Sequence, residues 1–356
     1  MDIFDFYRDK TKRSDLKDIF KDASQKHPDG LGEVFIEKDI WVTELLRLLF
    51  DEGLLEGKAV AFKGGTALSK RWKAIERFSE DIDLSIHWHD MLNGDKPEAE
   101  AWAETTMSNS QNKKFREAQT KRLEEWTLGF FERLKARLDA YGIEGLQANY
   151  LNSEKVEVYY PIVAEQTGSH YHLGPVLLEF GARNRGKPTE PSQLTTYLSE
   201  IEEYEEALSL PVAEDVLVFD PSYIIWEKLT ALHQFCTSEK SPKAARLARH
   251  WYDVDCMMCK EIVDPLGNHQ AINDVVEMKS ARWSVKGVDF SLASTGKLCL
   301  IPDEPLRTEI AQDFVEMVEG GMYFGKPDDF STILDRLSST EKMINESLFL
   351  LSNTKT

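Results

Sequence analysis

The sequence has few of the features that would direct it to a membrane or to an oxidising compartment. No apolar run approaches the ~18 residues that a membrane span needs. Residues 1–7 lack the basic-then-apolar pattern of a secretory signal. There are 4 cysteines, and the Cys-x-x-Cys pair of Cys256 and Cys259 has no second pair with which to complete a zinc site. We therefore expect a cytoplasmic protein with reduced cysteines and no membrane partner.

Positive charge is also scarce. The chain has 43 Lys and Arg against 62 Asp and Glu, which gives a net charge of −19. Because nucleic-acid phosphates are contacted by Lys and Arg, this balance argues against a general polyanion-binding surface. It leaves room for a local basic groove, and it would also suit a basic protein partner. At 356 residues, 42% hydrophobic and 29% charged, the composition is typical of a globular protein of about two domains.

Hydrophobic periodicity divides the chain near residue 215. The part before this point predicts helices at 36–52, 66–72 and 113–141, and strands at 59–62, 81–88, 156–163 and 175–180. Residues 184–192, which are rich in Gly and Pro, predict a loop. A short strand at 216–219 ends at Asp220, where Asp before Pro is a helix start signal. The pattern then stays mostly helical, so we expect an α+β fold with a mixed-sheet domain at 1–215 and a mostly helical domain at 216–356.

The most informative segment is the pair of consecutive glycines, Gly64 and Gly65, followed by Thr66. Glycines let the backbone approach a ligand closely and adopt positive φ. They precede a predicted helix, whose N-terminal N–H groups would favour phosphate, and the Thr66 hydroxyl could add a contact. Neither the Walker A pattern GxxxxGK[ST] nor the Rossmann pattern GxGxxG is present. The segment predicts a phosphate-binding turn of another type.

Two aspartates follow on the next predicted strand. Asp81 and Asp83 share one face, with Cα atoms roughly 6.5–7 Å apart. Adjacent carboxylates repel, and their hard oxygens suit Mg²⁺ or Mn²⁺. Asp-x-Asp alone is more often a surface acidic strand, but the glycine turn upstream favours a site for a metal-bound nucleoside triphosphate. Two such ions can clamp the attacking and leaving oxygens of a phosphoryl transfer.

A third carboxylate, Glu179, is the sole charge in an apolar predicted strand. A charge in this setting needs a partner. We predict that Glu179 binds the metal or acts as a base. The alternative is an ion pair with Arg183 or Arg185 at the end of the strand.

The helical part offers cationic candidates. Lys228 lies in or beside an apolar helix face, where it would bind a triphosphate or extend its ammonium to solvent at the edge of that face. Arg249 and Asp253 are four residues apart on the following helix. They form either an ordinary helix ion pair or an arginine that Asp253 orients toward phosphate or base.

Two blocks of residues resemble the AbiEii-type nucleotidyltransferase toxin family. These blocks are Lys63-Gly64-Gly65-Thr66-Ala67-Leu68-Ser69-Lys70 and Arg77-Phe78-Ser79-Glu80-Asp81-Ile82-Asp83-Leu84. Weaker similarity lies at 37–42, 228–232 and 249–253, so the resemblance spans about residues 35–260. It implies a polymerase-beta-like minimal nucleotidyltransferase fold and Mg²⁺-dependent transfer of a nucleotide from an NTP, with pyrophosphate leaving. It further implies the toxin of a toxin–antitoxin or phage-abortive system, with a possible antitoxin partner and, in some members, a tRNA 3′ end as the acceptor.

The residues and the resemblance together predict one site. The metal is assigned to Asp81, Asp83 and Glu179, and Lys228 is added to these as a catalytic residue. The predicted nucleotide-binding residues are Lys63, Gly64, Gly65, Thr66, Lys70, Arg77, Ser79, Lys228, Arg249 and Asp253. Two alternatives stay open: a nucleotidyltransferase that modifies a protein or small-molecule hydroxyl, and a non-catalytic nucleotide-binding regulatory module.

Overall fold

The computed structural model describes residues 1–353, with the exception of residues 93, 95, 166–173, 241, 243, 244 and 284. The chain divides into two compact units, Met1–Phe219 and Asp220–Thr356. The second unit opens where the sequence predicts a helix start. Asp220 accepts a hydrogen bond from the Ser222 backbone N–H, and Pro221 occupies the first helical position.

The first unit contains seven helices and seven strands among its described residues. The helices are α1 (Ile3–Arg8), α2 (Arg13–Lys26), α3 (Glu33–Phe50), α4 (Gly64–Lys70), α5 (Glu98–Thr106), α6 (Asn109–Asp139) and α7 (Glu202–Ala207). The strands are β1 (Val60–Lys63), β2 (Ile82–Ile86), β3 (Gln147–Asn152), β4 (Lys155–Tyr159), β5 (Val176–Gly181), β6 (Thr189–Leu194) and β7 (Ala213–Phe219). The strands form one mixed sheet in the order β3-β4-β5-β2-β1-β7-β6, in which β2/β5 and β1/β7 are parallel and the other pairs antiparallel.

Several predicted elements differ from the structure. Part of the predicted loop at 184–192 is β6, which pairs with β7 at the edge of the sheet, where Pro191 is tolerated. Strand β3 was not predicted, and β4 ends at Tyr159 instead of 163. Helix α4 begins at Gly64, so the two glycines form its first turn instead of preceding it. Asp81 lies just before β2 instead of within the strand.

Helix α3 carries three consecutive charged residues that are buried. The predicted helix is amphipathic, yet Glu37, Lys38 and Asp39 are only 1%, 0% and 3% exposed. A buried charge is costly unless it is paired or hydrogen-bonded. Glu37 accepts hydrogen bonds from the backbone N–H groups of Val163 (2.8 Å) and Ala164 (3.0 Å).

The other two buried charges of α3 bind segments that follow the glycine turn in the chain. The Lys38 ammonium donates to Glu80 (2.5 Å), one residue before Asp81. Asp39 accepts from the Lys70 ammonium (2.5 Å) and from the backbone N–H of Tyr197 (2.7 Å). Helix α3 therefore fixes several loops of the first unit through ionic contacts.

The second unit is helical in the residues that the structure describes. Its helices are α8 (Pro221–Thr237), α9 (Arg249–Cys259), α10 (His269–Arg282), α11 (Leu306–Glu319) and α12 (Phe330–Asn353), with a 3-10 turn at Phe290–Ser294. The four cysteines are free thiols, and Cys259 is exposed. None of the described helices is long and apolar enough to cross a bilayer.

The buried Glu37 carboxyl predicts a pH-dependent stability. Desolvation raises the pKa of Glu37 to about 7, although the N–H groups of Ala164 and Val163 oppose this rise. The folded protein then holds a proton that the unfolded chain releases above pH ~4.3. The free energy of unfolding should therefore fall by about 3 kcal/mol between pH ~4.3 and ~7 from this group alone.

Urea unfolding of the wild type and of Glu37→Gln at a series of pH values isolates this contribution. The difference between the two proteins should show the fall, since all other groups titrate in both. Parallel pH profiles for the two proteins would contradict the prediction.

Candidate active site

Four charged residues lie side by side across the middle of the sheet. Lys63 on β1 is the register partner of Asp83 on β2, Asp83 is the partner of Glu179 on β5, and Glu179 is the partner of Lys155 on β4. Residues directly opposite each other in neighbouring strands point to the same face. The structure thus brings Glu179 beside Asp83 and places two carboxylates between two lysines. We call Lys63, Asp83, Glu179 and Lys155 the charged row.

The glycine turn contacts this row through Asp83. A Cβ built on Gly64 would lie 1.8 Å from Asp83 Oδ2, and Gly64 has φ +77°. A Cβ on Gly65 would lie 2.5 Å from Ser79 Oγ and 2.6 Å from Arg77 Nη2. The close approach that the glycines predict is therefore an approach to side chains of the chain itself.

Thr66, Arg77 and Ser79 hold the turn together. The Thr66 hydroxyl is buried, donates to the Asp81 carbonyl oxygen (2.5 Å) and lies 3.1 Å from Ser79 Oγ. Arg77 is 3% exposed, and its Nη1 donates to the Phe78 carbonyl oxygen (3.1 Å). The Thr66 hydroxyl thus holds the backbone at Asp81. The sequence predicts instead that this hydroxyl contacts the triphosphate.

The surroundings of the Lys70 side chain do not fit its predicted role in nucleotide binding. Its ammonium is bound to Asp39, and the two side chains are 2% and 4% exposed. It also donates to the Thr195 carbonyl oxygen (2.9 Å) and lies 4.9 Å from the centroid of the Tyr197 ring. Lys70 is thus a buried structural cation of α4.

Glu179 is paired, but with neither of the predicted arginines. Its Oε1 forms an ion pair with the Lys155 ammonium. Arg183 pairs with Glu154, and Arg185 pairs with Glu98. Reasoning from the sequence missed Lys155, because the only signal for it is the register of β4 against β5.

The charges in this region act on Lys155. Its pKa is raised above the ordinary value, first by the hydrogen bond to Glu179 and further by the charges of Glu179, Asp81 and Asp83. All three carboxylates are therefore close enough to Lys155 to favour its charged form. Asp81, Asp83 and Glu179 are each half-buried, and their oxygens are the hard donors that Mg²⁺ or Mn²⁺ prefers. The donor set fits a divalent cation.

A second cluster of possible ligands lies elsewhere in the first unit. Ligand atoms of His27, Asp29 and Glu200 are within 4.8 Å of one another. However, His27 Nδ1 accepts the Asp29 backbone N–H (3.2 Å), so the neutral ring carries its proton on Nε2 and cannot offer that nitrogen to a metal. Glu200 is also paired with Lys73 (2.8 Å). We assign this cluster a structural role.

In the second unit, Lys228 is the partner of Asp253. The ammonium lies 2.7 Å from Asp253 Oδ2, and the side chains are 11% and 1% exposed. This ion pair joins α8 to α9 and takes the place of the predicted Arg249–Asp253 pair. Arg249 begins α9, and no hydrogen bond or ion pair joins its side chain to another residue that the structure describes.

The contact between Gly64 and Asp83 predicts a large effect of Gly64→Ala. The added methyl group must displace the Asp83 carboxylate and also accept positive φ, so we expect a loss of about 2–4 kcal/mol in the free energy of unfolding. Gly53→Ala is the matched control, since Gly53 has φ +72° and a Cβ there would meet nothing within 4 Å. The control should lose about 1 kcal/mol. Equal losses in urea unfolding would show that the Asp83 contact contributes nothing.

The Lys228–Asp253 pair predicts a stability effect of Lys228→Met. The substitution leaves a buried carboxylate without its ammonium partner, which costs about 3–5 kcal/mol. The double variant Lys228→Met/Asp253→Asn should recover part of this loss, because no buried charge remains. Lys342→Met, which removes a pair that is 76% and 66% exposed, is the control. If Lys228→Met unfolds at the same urea concentration as this control, the buried pair does not stabilise the second unit.

Comparisons with known proteins bear on the whole chain. Residues 47–336 match the model of a family described as the AbiEii nucleotidyl transferase toxin of type IV toxin–antitoxin systems. A search of curated protein sequences finds no match. Among solved structures, MenT4, a nucleotidyltransferase toxin from Mycobacterium tuberculosis H37Rv, aligns with 92% of this chain and 98% of its own, at 18% identity and a TM-score of 0.42.

The family match covers well over half of the chain and includes both the charged row and the Lys228–Asp253 pair. The family and the enzyme class predicted from the sequence are thereby confirmed, as is the fold class of a mixed sheet flanked by helices and followed by a helical part. The chain belongs to the AbiEii nucleotidyltransferase toxin family of type IV toxin–antitoxin systems.

Proposed function

We propose that this toxin transfers a nucleotide from an NTP to an RNA hydroxyl, such as a tRNA 3′ end, in a Mg²⁺-dependent reaction that releases pyrophosphate. The observation that carries the proposal is the placement of Glu179 beside Asp83, with Gly64 packed against the Asp83 carboxylate. Asp83 and Glu179 are neighbours in the sheet, and Asp81 lies just before β2. Carboxylates placed this close repel one another, and a cation bound between them relieves the repulsion.

Asp81, Asp83 and Glu179 would hold the divalent metal. When bound, the ion neutralises phosphate charge and aligns the attacking and leaving oxygens. Gly64 fixes the orientation of the Asp83 carboxylate, and Thr66 fixes the backbone at Asp81. Glu179 completes the donor set; its alternative role is to accept the proton of the acceptor hydroxyl.

Lys63 and the glycine turn are the candidates for the triphosphate in the first unit. Lys63 is the register partner of Asp83, and it immediately precedes α4. Its ammonium would offset the negative charge of a triphosphate bound at the glycine turn. Arg77 and Ser79 act as positioning residues in this proposal. The nucleotide contacts of Lys228, Arg249 and Asp253 stay a prediction from the sequence.

An RNA acceptor is supported by exposed basic residues on α6. The first half of this helix carries Lys113, Lys114 and Lys121 on its exposed surface. Phosphate contacts from such residues would guide an RNA. The net charge of −19 favours the alternative acceptor, a protein or small-molecule hydroxyl.

We further propose a cytoplasmic site of action, a cognate antitoxin and a role in phage defence.

The test follows label from each of four α-³²P NTPs into purified tRNA and total protein with Mg²⁺ present. Asp81→Asn/Asp83→Asn should reduce transfer at least about a thousandfold, because the metal supplies several kcal/mol of transition-state stabilisation. Asp15→Asn/Asp18→Asn removes the same charge from an exposed face of α2 and should transfer label at the wild-type rate.

Each outcome of this test has one meaning. Wild-type transfer by Asp81→Asn/Asp83→Asn would overturn the assigned site. Label in protein instead of tRNA would establish the alternative acceptor. NTP binding by the wild type with no label in tRNA or protein and no release of pyrophosphate in a cell extract would indicate a non-catalytic regulatory module, whereas release of pyrophosphate would indicate a small-molecule acceptor.

A further inference from the structure

Lys155 pairs with a carboxylate of the proposed metal site. It lies on β4 directly opposite Glu179, and its ammonium forms an ion pair with Glu179 Oε1. Glu179 in turn lies directly opposite Asp83. An ammonium therefore occupies an oxygen that the proposed metal would need.

Exposure distinguishes Lys155 from two other lysines of the first unit. Lys38 and Lys70 are bound to Glu80 and Asp39, and their side chains are 0% and 2% exposed. The Lys155 side chain is 40% exposed, and that of Glu179 is 33% exposed. An ion pair in contact with water contributes little net stability, so it can be exchanged for a stronger ligand. The two buried pairs cannot be exchanged without moving α3 or α4.

The surrounding charge explains why a lysine is present here. Without a metal, Asp81, Asp83 and Glu179 would repel one another. The ammonium of Lys155, paired with Glu179, offsets this repulsion from the β4 side of the charged row. A divalent ion that binds the same carboxylates makes the Lys155 contact unnecessary and repels the ammonium.

We infer that Lys155 competes with the divalent metal for Glu179, so that metal loading releases the Lys155 ammonium from the charged row. Lys155 is thus a positioning residue that sets the affinity of the proposed site for the metal through Glu179. The inference rests on the proposed function, in which Glu179 is a metal ligand.

The test measures the affinity of the nucleotide-free protein for Mn²⁺, by the electron paramagnetic resonance signal of free Mn²⁺. Lys155→Met removes the competing charge and should lower the Mn²⁺ dissociation constant about tenfold. Lys155→Gln should do the same, and Lys155→Arg, which keeps the charge, should stay near the wild type. Lys17→Met is the matched control, since Lys17 is 41% exposed and pairs with Glu165 far along the chain.

Competition for Glu179 is tested by a double variant. In a Glu179→Gln background the ammonium has lost the carboxylate with which it pairs and keeps only the weaker attraction of Asp81 and Asp83, so adding Lys155→Met should change the dissociation constant less than threefold. A tenfold change in that background would show a general charge effect and overturn the inference. Thermal unfolding without metal verifies that each variant folds. The rise of Tm on adding Mn²⁺ gives a second readout, and this rise should be larger for Lys155→Met than for the wild type.

The failures of the two proposals are separable. If Asp81→Asn/Asp83→Asn binds Mn²⁺ as the wild type does, the proposed metal site is wrong. If that variant loses Mn²⁺ while Lys155→Met and Lys155→Gln keep the wild-type dissociation constant, the metal site stands and the inference about Lys155 is wrong.

Discussion

The buried charges of α3 are the constraint on which the first unit depends. Glu37, Lys38 and Asp39 are shielded from water, and each is bound by a different segment of the chain. Removing one partner of such a contact leaves an uncompensated charge, which costs several kcal/mol. A fold in which any of these segments moved away would therefore be strongly disfavoured. The Lys38–Glu80 pair fixes the residue before Asp81, so the geometry of the proposed metal site depends on a helix that contributes no ligand to it.

Local sequence patterns predict those helices and strands whose apolar pattern does not depend on which element packs beside them. Apolar alternation identifies β2 and β5 because both are buried on at least one face, whatever lies beside them. Strand β3 was missed because it lies at an edge of the sheet and is largely exposed, so its sequence shows little apolar alternation. Pro191 and its neighbours read as a loop, since the sequence does not reveal that β6 needs hydrogen bonds on only one side. The partners of the buried charges of α3 lie 30 or more residues away in the chain, so the local sequence does not reveal them.

For the proposed site, it is easier to predict from the sequence which motif residues matter than to predict the role of each residue. Lys70, Thr66 and Arg77 belong to the motif blocks, and each was assigned to the nucleotide. Each is instead buried and bound to the protein, because a buried polar group must find its partners within the fold. Lys155 shows the opposite case: it carries no motif, yet the register of β4 places it in the charged row. A sequence motif identifies residues that are close together in the chain. A sheet also brings together residues from strands that are far apart in the chain, and no motif identifies these.

The charged row also bears on how so acidic a chain can act on anionic substrates. Exposed charges more than about 8–10 Å apart are largely screened at physiological salt, so most of the net charge of −19 has little effect at the sheet. The field there is set by nearby charges, which are Asp81 and the row, in which two carboxylates lie between two lysines. The carboxylates favour a cation and the lysines favour an anion. A nucleoside triphosphate with its metal supplies both charges together, so this row suits the complex better than either component alone.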